Sequence, residues 1–223
     1  MCPAANEISF FEEGFNDRLI TREGQVKKVK DYIADNPRRW MVKHETPEYF
    51  QKLYHIFING KEWNVIGNIF LLKDFDIQAV KVSSRYSAKE LLRKKRLWWF
   101  TVINDGVLAS PFIREDEKKV RNWTWENEGR IIQLMDKPFR ERYKPYGKNF
   151  DRCAEGRLLQ VAPAFEAPEH MIKPWADELN DAAQAIAEGR YELRRAQSLG
   201  FRHDTKPQGR AQSLGFRHDT KPL

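Results

Sequence analysis

The stretch IQAVKVSSRYSAKELLRKKRLWWFTVINDGVLAS, residues 77–110, decides the fold. Ile77 to Val82 reads as a strand. Ser87 is a good helix N-cap, because its hydroxyl can accept a free first-turn amide, and it opens a helix from Ala88 to about Arg96. Val107 to Ala109 is a short apolar run suited to a buried strand. Strand, helix and strand in so short a span form a βαβ unit, whose two strands lie parallel.

The same texture extends on both sides. Downstream, Glu115 to Asn127 reads as a helix closed by Gly129 as its C′ residue, and Ile131 to Met135 and Leu158 to Val161 read as strands. Upstream, Ile56 to Ile58 and Trp63 to Ile66 flank Asn59-Gly60, a strong hairpin signal, and Ile69 to Leu72 reads as a further strand. The expected fold class is therefore α/β: a Rossmann-like, mainly parallel sheet with helices on both faces. Before it, a helix begins after Thr21, carries Val26, Val29, Tyr32 and Ile33 on an apolar side, and should stop at Pro37. A second short helix after Thr46-Pro47 would carry Tyr49, Phe50, Leu53 and Tyr54. After the sheet comes a helix from Pro174 to about Arg195. Last is a basic tail in which RAQSLGFRHDTKP occurs at 195–207 and again at 210–222. This tail is expected to be disordered. The expected divisions are 1–55, 56–190 and 191–223.

A chain of 223 residues that is 41% hydrophobic and 13% aromatic can build a core, which excludes wholesale disorder. No apolar run approaches the ~20 residues of a membrane helix, and no basic-then-apolar leader opens the chain. Cys2 and Cys153 are too few for a disulfide scaffold and lack metal-ligand spacing. A soluble, cytoplasmic protein is expected. Thirty-nine Lys and Arg against 32 Asp and Glu give a net charge of +7, which favours a polyanionic partner.

Several residue groups carry possible chemistry. Tyr32 and Asn36 are four apart, so a helix stacks them on one face, either as nucleophile and metal-side ligand or as a half-buried aromatic and a helix cap. Ser83, Ser84, Arg85 and Ser87 follow a strand and precede a helix N-terminus, an arrangement that favours phosphate. Arg140, Arg142, Lys144 and Lys148 interleave with Phe139, Tyr143 and Tyr146. That pattern suits single-stranded nucleic acid, where bases stack on rings and cations track the backbone, or equally a solvated loop with aromatics packed on the sheet. KELLRKKRLWWF, from Lys89, is either a helix crossing a nucleic-acid backbone or an exposed basic face followed by core aromatics. Glu115, Asp116 and Glu117 read as surface charges and Cys153 as a buried small residue. There is no GxxxxGK[ST], no GxGxxG and no identifiable Ser-His-Asp set.

Two resemblances sharpen this reading. FFEEGFNDRLITREGQVKKVKDYIADNPRRW resembles the end of the catalytic domain of REP-associated tyrosine transposases, relatives of the HUH single-strand transposases. Tyr32, Ile33, Asn36, Pro37 and Arg38 match its Tyr-Ile-x-x-Asn-Pro-basic pattern. The resemblance implies that Tyr32 is the nucleophile forming a 5′-phosphotyrosine and that Asn36 helps hold a divalent Mg or Mn ion. The family's His-x-His metal motif has no counterpart: among His44, His55, His170, His203 and His218, no two are separated by one residue. A truncated or split transposase is the expectation, not cleavage-competent alone, with metal bound only if a second chain supplies the histidines.

Ile77 to Val161 is similar, more loosely, to the Rossmann-like core of the DNA-processing protein A family. Ser83-Ser84-Arg85 stands at its Gly-Ser-Arg loop, Ser110-Pro111-Phe112 at its Ser-Gly turn, and Lys144-Pro145 with Asn149 near its Tyr-Pro-x-x-Asn segment. This resemblance implies single-strand or nucleotide binding at the carboxyl ends of the strands, with Ser110 and Asn149 among the contacts. The combined expectation is a bacterial, transposase-derived DNA-binding protein acting on single-stranded or hairpin DNA. The alternative is a nucleotide-binding or nucleotide-hydrolysing Rossmann-like protein without a DNA role, and a third reading is a non-catalytic interaction module.

Overall fold

The computed structural model describes residues 23–193. Helix α1 (Gln25–Glu45) and a 3₁₀ turn (Pro47–Phe50) lead into the hairpin β1 (Gln51–Ile58) and β2 (Lys61–Gly67), then a 3₁₀ turn (Ile69–Lys73). There follow β3 (Ile77–Ala79), α2 (Ala88–Ile103), β4 (Val107–Ser110), α3 (Glu115–Glu126), β5 (Arg130–Leu134) and α4 (Lys148–Ala154). The described chain closes with β6 (Leu158–Pro163), α5 (Lys173–Ala187) and β7 (Tyr191–Glu192).

The seven strands form one sheet in the order β3-β4-β5-β6-β2-β1-β7. β3 to β6 are parallel, and β2, β1 and β7 extend them antiparallel. The α/β class is as read from the sequence, with the sheet mixed beyond β6.

Strand alternation builds two cores. Val107, Ala109, Ile132, Leu134, Leu159 and Val161 pack with Trp175, Leu179, Ala182 and Ile186 of α5 on one face. On the other, Leu108, Ile131 and Leu158 pack with Trp98 and Val102 of α2, Phe112, and Cys153 of α4. Parallel strands taken in sequence order need right-handed crossovers, which put α2, α3 and α4 on one side.

The helix-to-strand junctions share one device. Asp105 and Glu128 hold φ of 58° and 57°, and the next amides, of Gly106 and Gly129, reach back to Thr101 and Thr124 at 2.7 and 2.8 Å. These are the six-to-one bonds of a Schellman ending. Glu128, not Gly129, is therefore the left-handed residue. Gly129 is required for a different reason: a Cβ there would lie 2.6 Å from Thr124 Cγ2 and 2.9 Å from Val102 Cγ1.

Other element boundaries differ from the sequence reading. α1 continues through Pro37 to Glu45, because Asp35 bonds both Arg38 (2.5 Å) and Arg39 (2.6 Å) and so bridges the proline. Leu53 and Tyr54 belong to β1 rather than to a helix, and Ile69–Leu72 is a 3₁₀ turn. β3 stops at Ala79, although the Val80 amide still bonds the Ala109 carbonyl at 2.9 Å. α2 runs on to Ile103, and the last helix ends at Ala187, where Gly189 (φ 69°) turns the chain into β7. The tail repeat and Thr21 lie outside the described residues. No helix among the described residues is long and apolar enough to cross a membrane.

Candidate nucleic-acid interface

The topology separates the two segments singled out for phosphate. Ser83–Arg85 follows edge strand β3, whereas the 135–147 loop leaves β5 and folds back toward β6 and β2. β3 and β2 are four strand places apart, about 19 Å at the usual spacing.

At the β3 end, Ser83 Oγ accepts the Arg85 amide at 3.2 Å, and Ser87 Oγ caps α2 by accepting the Glu90 amide at 3.2 Å. Ser84 and Arg85 are exposed on that turn. Ser110 is fully buried: its hydroxyl donates to the Val80 carbonyl (2.7 Å) and accepts the Phe112 amide (3.0 Å). It holds the β4–α3 turn, where Phe112 takes φ of 51°. Glu117, read as a surface charge, is 2% exposed. Its carboxylate accepts the amides of Val82 (2.9 Å), Ile113 (3.0 Å) and Arg114 (3.1 Å). The amides of Val82, Ile113 and Arg114, one before the Ser83–Arg85 turn and two entering α3, are thus bound to an internal anion, which sits favourably at the positive end of α3.

The 135–147 loop is held firmly. Tyr143 stacks on Phe139 (centroids 4.9 Å apart, 16° between planes), and its hydroxyl donates to Oε1 of buried Gln160 at 2.9 Å. Burial pushes the Tyr143 hydroxyl pKa up. Lys52 Nζ donates to the Tyr143 carbonyl at 2.9 Å. The register explains the meeting: Lys52 of β1 pairs with Ile66 of β2, which pairs with Gln160 of β6. Arg140, Arg142, Lys144 and Lys148 are exposed, Asn149 is half-buried in the first turn of α4, and Tyr146 is 72% exposed.

α1 completes the surface. Arg39 and Lys43 lie over the Phe150 ring at 4.5 and 5.5 Å, Lys43 also over Phe50 at 5.7 Å, and the two rings stand 5.0 Å apart. Lys43, Lys52 and Lys144 crowd one another. Burial first, then Lys144, Arg39 and Lys52, press the Lys43 pKa down, and burial and Lys144 do the same to Lys52. Among the described residues no carboxylate forms an ion pair with any of these three lysines. Arg38 is instead paired with Asp35 and Asp151. Nearby, between α3 and α4, Arg152 and Arg121 approach the Trp125 ring at 3.4 and 4.7 Å. Lys43, Lys52, Phe50 and Phe150 were not singled out in the sequence. Their only signal was charge and aromaticity scattered over three segments that the sheet register later joins.

Tyr32 is 57% exposed on α1, one turn before Asn36 and 5.8 Å from the Arg39 guanidinium. The donor set there does not fit a divalent ion. Asn36 offers one neutral oxygen, and the neighbouring Asp35 carboxylate is bound by two guanidiniums that hold its pKa down near 2. His44 lies against the Trp40 ring, tilted by 49°, about two turns beyond Asn36, and His55 pairs with Glu62 in the hairpin. Among the described residues no group of three or more His, Cys, Asp or Glu gathers to hold a metal. His203 and His218 lie outside the described residues.

The class the geometry defines is an α/β protein with a cationic, aromatic-lined surface beside its sheet. Comparison with family models, with curated proteins and with solved structures returns no match.

Proposed function

We propose that this protein binds single-stranded or hairpin DNA along the surface formed by α1, the start of β1, the 139–146 loop and α4. In this reading it descends from a tyrosine transposase, and Tyr32 and Asn36 mark a former nucleophile and metal position rather than a working site. The observation that carries it is the Lys43–Lys52–Lys144 cluster. Lys43 and Lys52 are held, by burial and by Lys144 beside them, at a cost to their own ionisation, and a polyanion relieves that cost. Tyr146, exposed beside them, offers a ring on which a base can stack. The nucleotide reading is weaker because the Arg85 amide and the first-turn Glu90 amide are taken by Ser83 and Ser87, and the neighbouring Val82 amide by Glu117.

The test is fluorescence anisotropy of a labelled hairpin with a single-stranded extension, against a blunt duplex of equal length, using the full chain. Preference for the hairpin, lost in Lys43→Ala/Lys52→Ala/Lys144→Ala and kept in Arg85→Ala, supports the proposal. Binding unchanged in the triple variant, or hairpin and duplex bound alike, overturns it.

A further inference from the structure

The carboxyl end of the parallel strands carries a polar row where a buried sheet is normally apolar. Ser110 of β4, Gln133 of β5 and Gln160 of β6 are register partners on neighbouring strands. All three turn to the α2–α4 side, because Leu108, Ile131 and Leu158, two places before them, pack in that core. Ser110 and Gln160 are fully buried and satisfied. Ser110 is held by the Val80 carbonyl and the Phe112 amide. Gln160 accepts from the Tyr143 hydroxyl, and its Nε2 donates to Met135 Sδ at 3.6 Å. Gln133, between them, differs on both counts: it is only half-buried, and its Oε1 is closed to solvent without a hydrogen-bond partner. A buried acceptor left unmade is costly, and a donor from outside the chain relieves that cost.

Topology marks the same place. β5 leads through the 135–147 loop to α4 on one face of the sheet, and β6 leads through 164–172 to α5 on the other. The connections diverge between these two strands, and ligands of open α/β sheets sit at such a divergence, outside the carboxyl ends. Tyr143 joins the row to the cationic surface: its hydroxyl holds Gln160, its ring stacks on Phe139, and its carbonyl accepts from Lys52.

We propose that Gln133 holds one base of the bound strand and that this base is adenine, an inference that rests on the DNA reading above. A side-chain amide offers one donor and one acceptor side by side. Adenine presents the matching pair on both of its free edges, its amino group with N1 and its amino group with N7, so either edge can enter. Guanine, cytosine and thymine present such a pair on one edge only. A single strand leaves these edges uncovered, whereas in a duplex the partner strand takes one of them. The lysines hold the backbone and Gln133 supplies the preference among bases.

The test uses the full chain and labelled hairpins whose single-stranded extension carries adenine, thymine or cytosine throughout, or no bases at all. The wild-type chain should bind the adenine extension about tenfold more tightly than the thymine or cytosine one. Gln133→Met, which keeps the side-chain length and drops the amide, should bind all three alike. Gln133→Glu, with two acceptors and no donor, should lose the adenine preference as well. Without DNA, Gln133→Met should unfold at a temperature no lower than the wild type, because it removes an unpartnered amide. Equal binding of the three extensions by the wild type, a preference for another base, a preference that survives Gln133→Met, or a less stable Gln133→Met chain would each overturn the proposal. The Lys43→Ala/Lys52→Ala/Lys144→Ala variant separates this inference from the reading beneath it. It should weaken binding to every extension while leaving the ratio among bases unchanged, whereas a hairpin bound no better than a duplex by the wild type overturns both.

Discussion

Lys52 Nζ donates to the Tyr143 carbonyl at 2.9 Å, across 91 positions of chain. This bond ties the start of β1 to the loop that carries Arg140, Arg142 and Lys144. It also places an ammonium where burial, and then Lys144 beside it, depress its pKa, so the cationic surface is built into the fold.

Burial, with charge crowding added to it, makes binding and stability respond oppositely to pH. Lys43 and Lys52 have folded pKa values below their ordinary 10.5. Between the folded value and 10.5 the unfolded chain holds more protons than the folded one, so stability rises with pH through that window. DNA affinity should fall through the same window as the lysines lose charge, and binding there should take up protons. Urea denaturation and calorimetry in buffers of differing ionisation enthalpy check the two signs.

Glu117 should be among the most costly buried polar residues to lose. Glu117→Ala leaves the amides of Val82, Ile113 and Arg114 without their acceptor. A loss of about 3 kcal/mol in unfolding free energy is expected, since buried donors left unmade cost roughly 1–3 kcal/mol each and some regain water. Glu117→Gln should fall between the two. Equilibrium urea unfolding measures both.

Much of the fold was legible from residues 77–110 because strand runs, the Ser87 cap and the helix between them agree locally. The same holds for the hairpin, where Asn59 and Gly60 take φ of 51° and 76° as a type I′ turn requires. What was not legible depends on distant partners. Pro37 normally ends a helix, but Asp35 with Arg38 and Arg39 carries α1 past it. Ile69–Leu72 is an apolar run with no period to distinguish strand from turn. The seven-residue α4 was too short to stand out from the loop before it. The inward turn of Glu117 and the meeting of Lys43, Lys52 and Lys144 arise from packing and register, which spacing along the chain does not encode. Trp99 and Phe100, core aromatics in one of the two readings of their run, face outward because α2 continues beyond Arg96 and Trp98, Thr101 and Val102 keep the inward phase.

Gly67 should tolerate no side chain. It has φ of 129°, and a Cβ would stand 2.4 Å from the Leu158 carbonyl oxygen, a backbone atom that cannot step aside without breaking the β2–β6 pairing. Gly67→Ala is expected to lower stability by about 2 kcal/mol or more, through overpacking and backbone strain together. Gly60→Ala, with open space around it, should cost less. Thermal unfolding of the two variants side by side tests the order.

Cys153 should be chemically silent in the folded protein. It is fully buried, and burial pushes its thiol pKa up to about 12. At pH 8 the thiolate fraction is on the order of 10⁻⁴. In a Cys2→Ser chain, iodoacetamide should label Cys153 only at the rate of unfolding, and mass spectrometry should show labelling rise with urea. Rapid labelling of the native chain would be inconsistent with the packing of α4.

The central claim, that Lys43, Lys52 and Lys144 form a polyanion site, is tested most directly by the salt dependence of single-strand binding. The slope of log K against log salt should lose about 2 in magnitude in the triple alanine variant, since each single-strand phosphate contact contributes about 0.7. Single alanine variants should each lose about a third of that. An unchanged slope, with binding carried by residues elsewhere in the chain, would contradict the account.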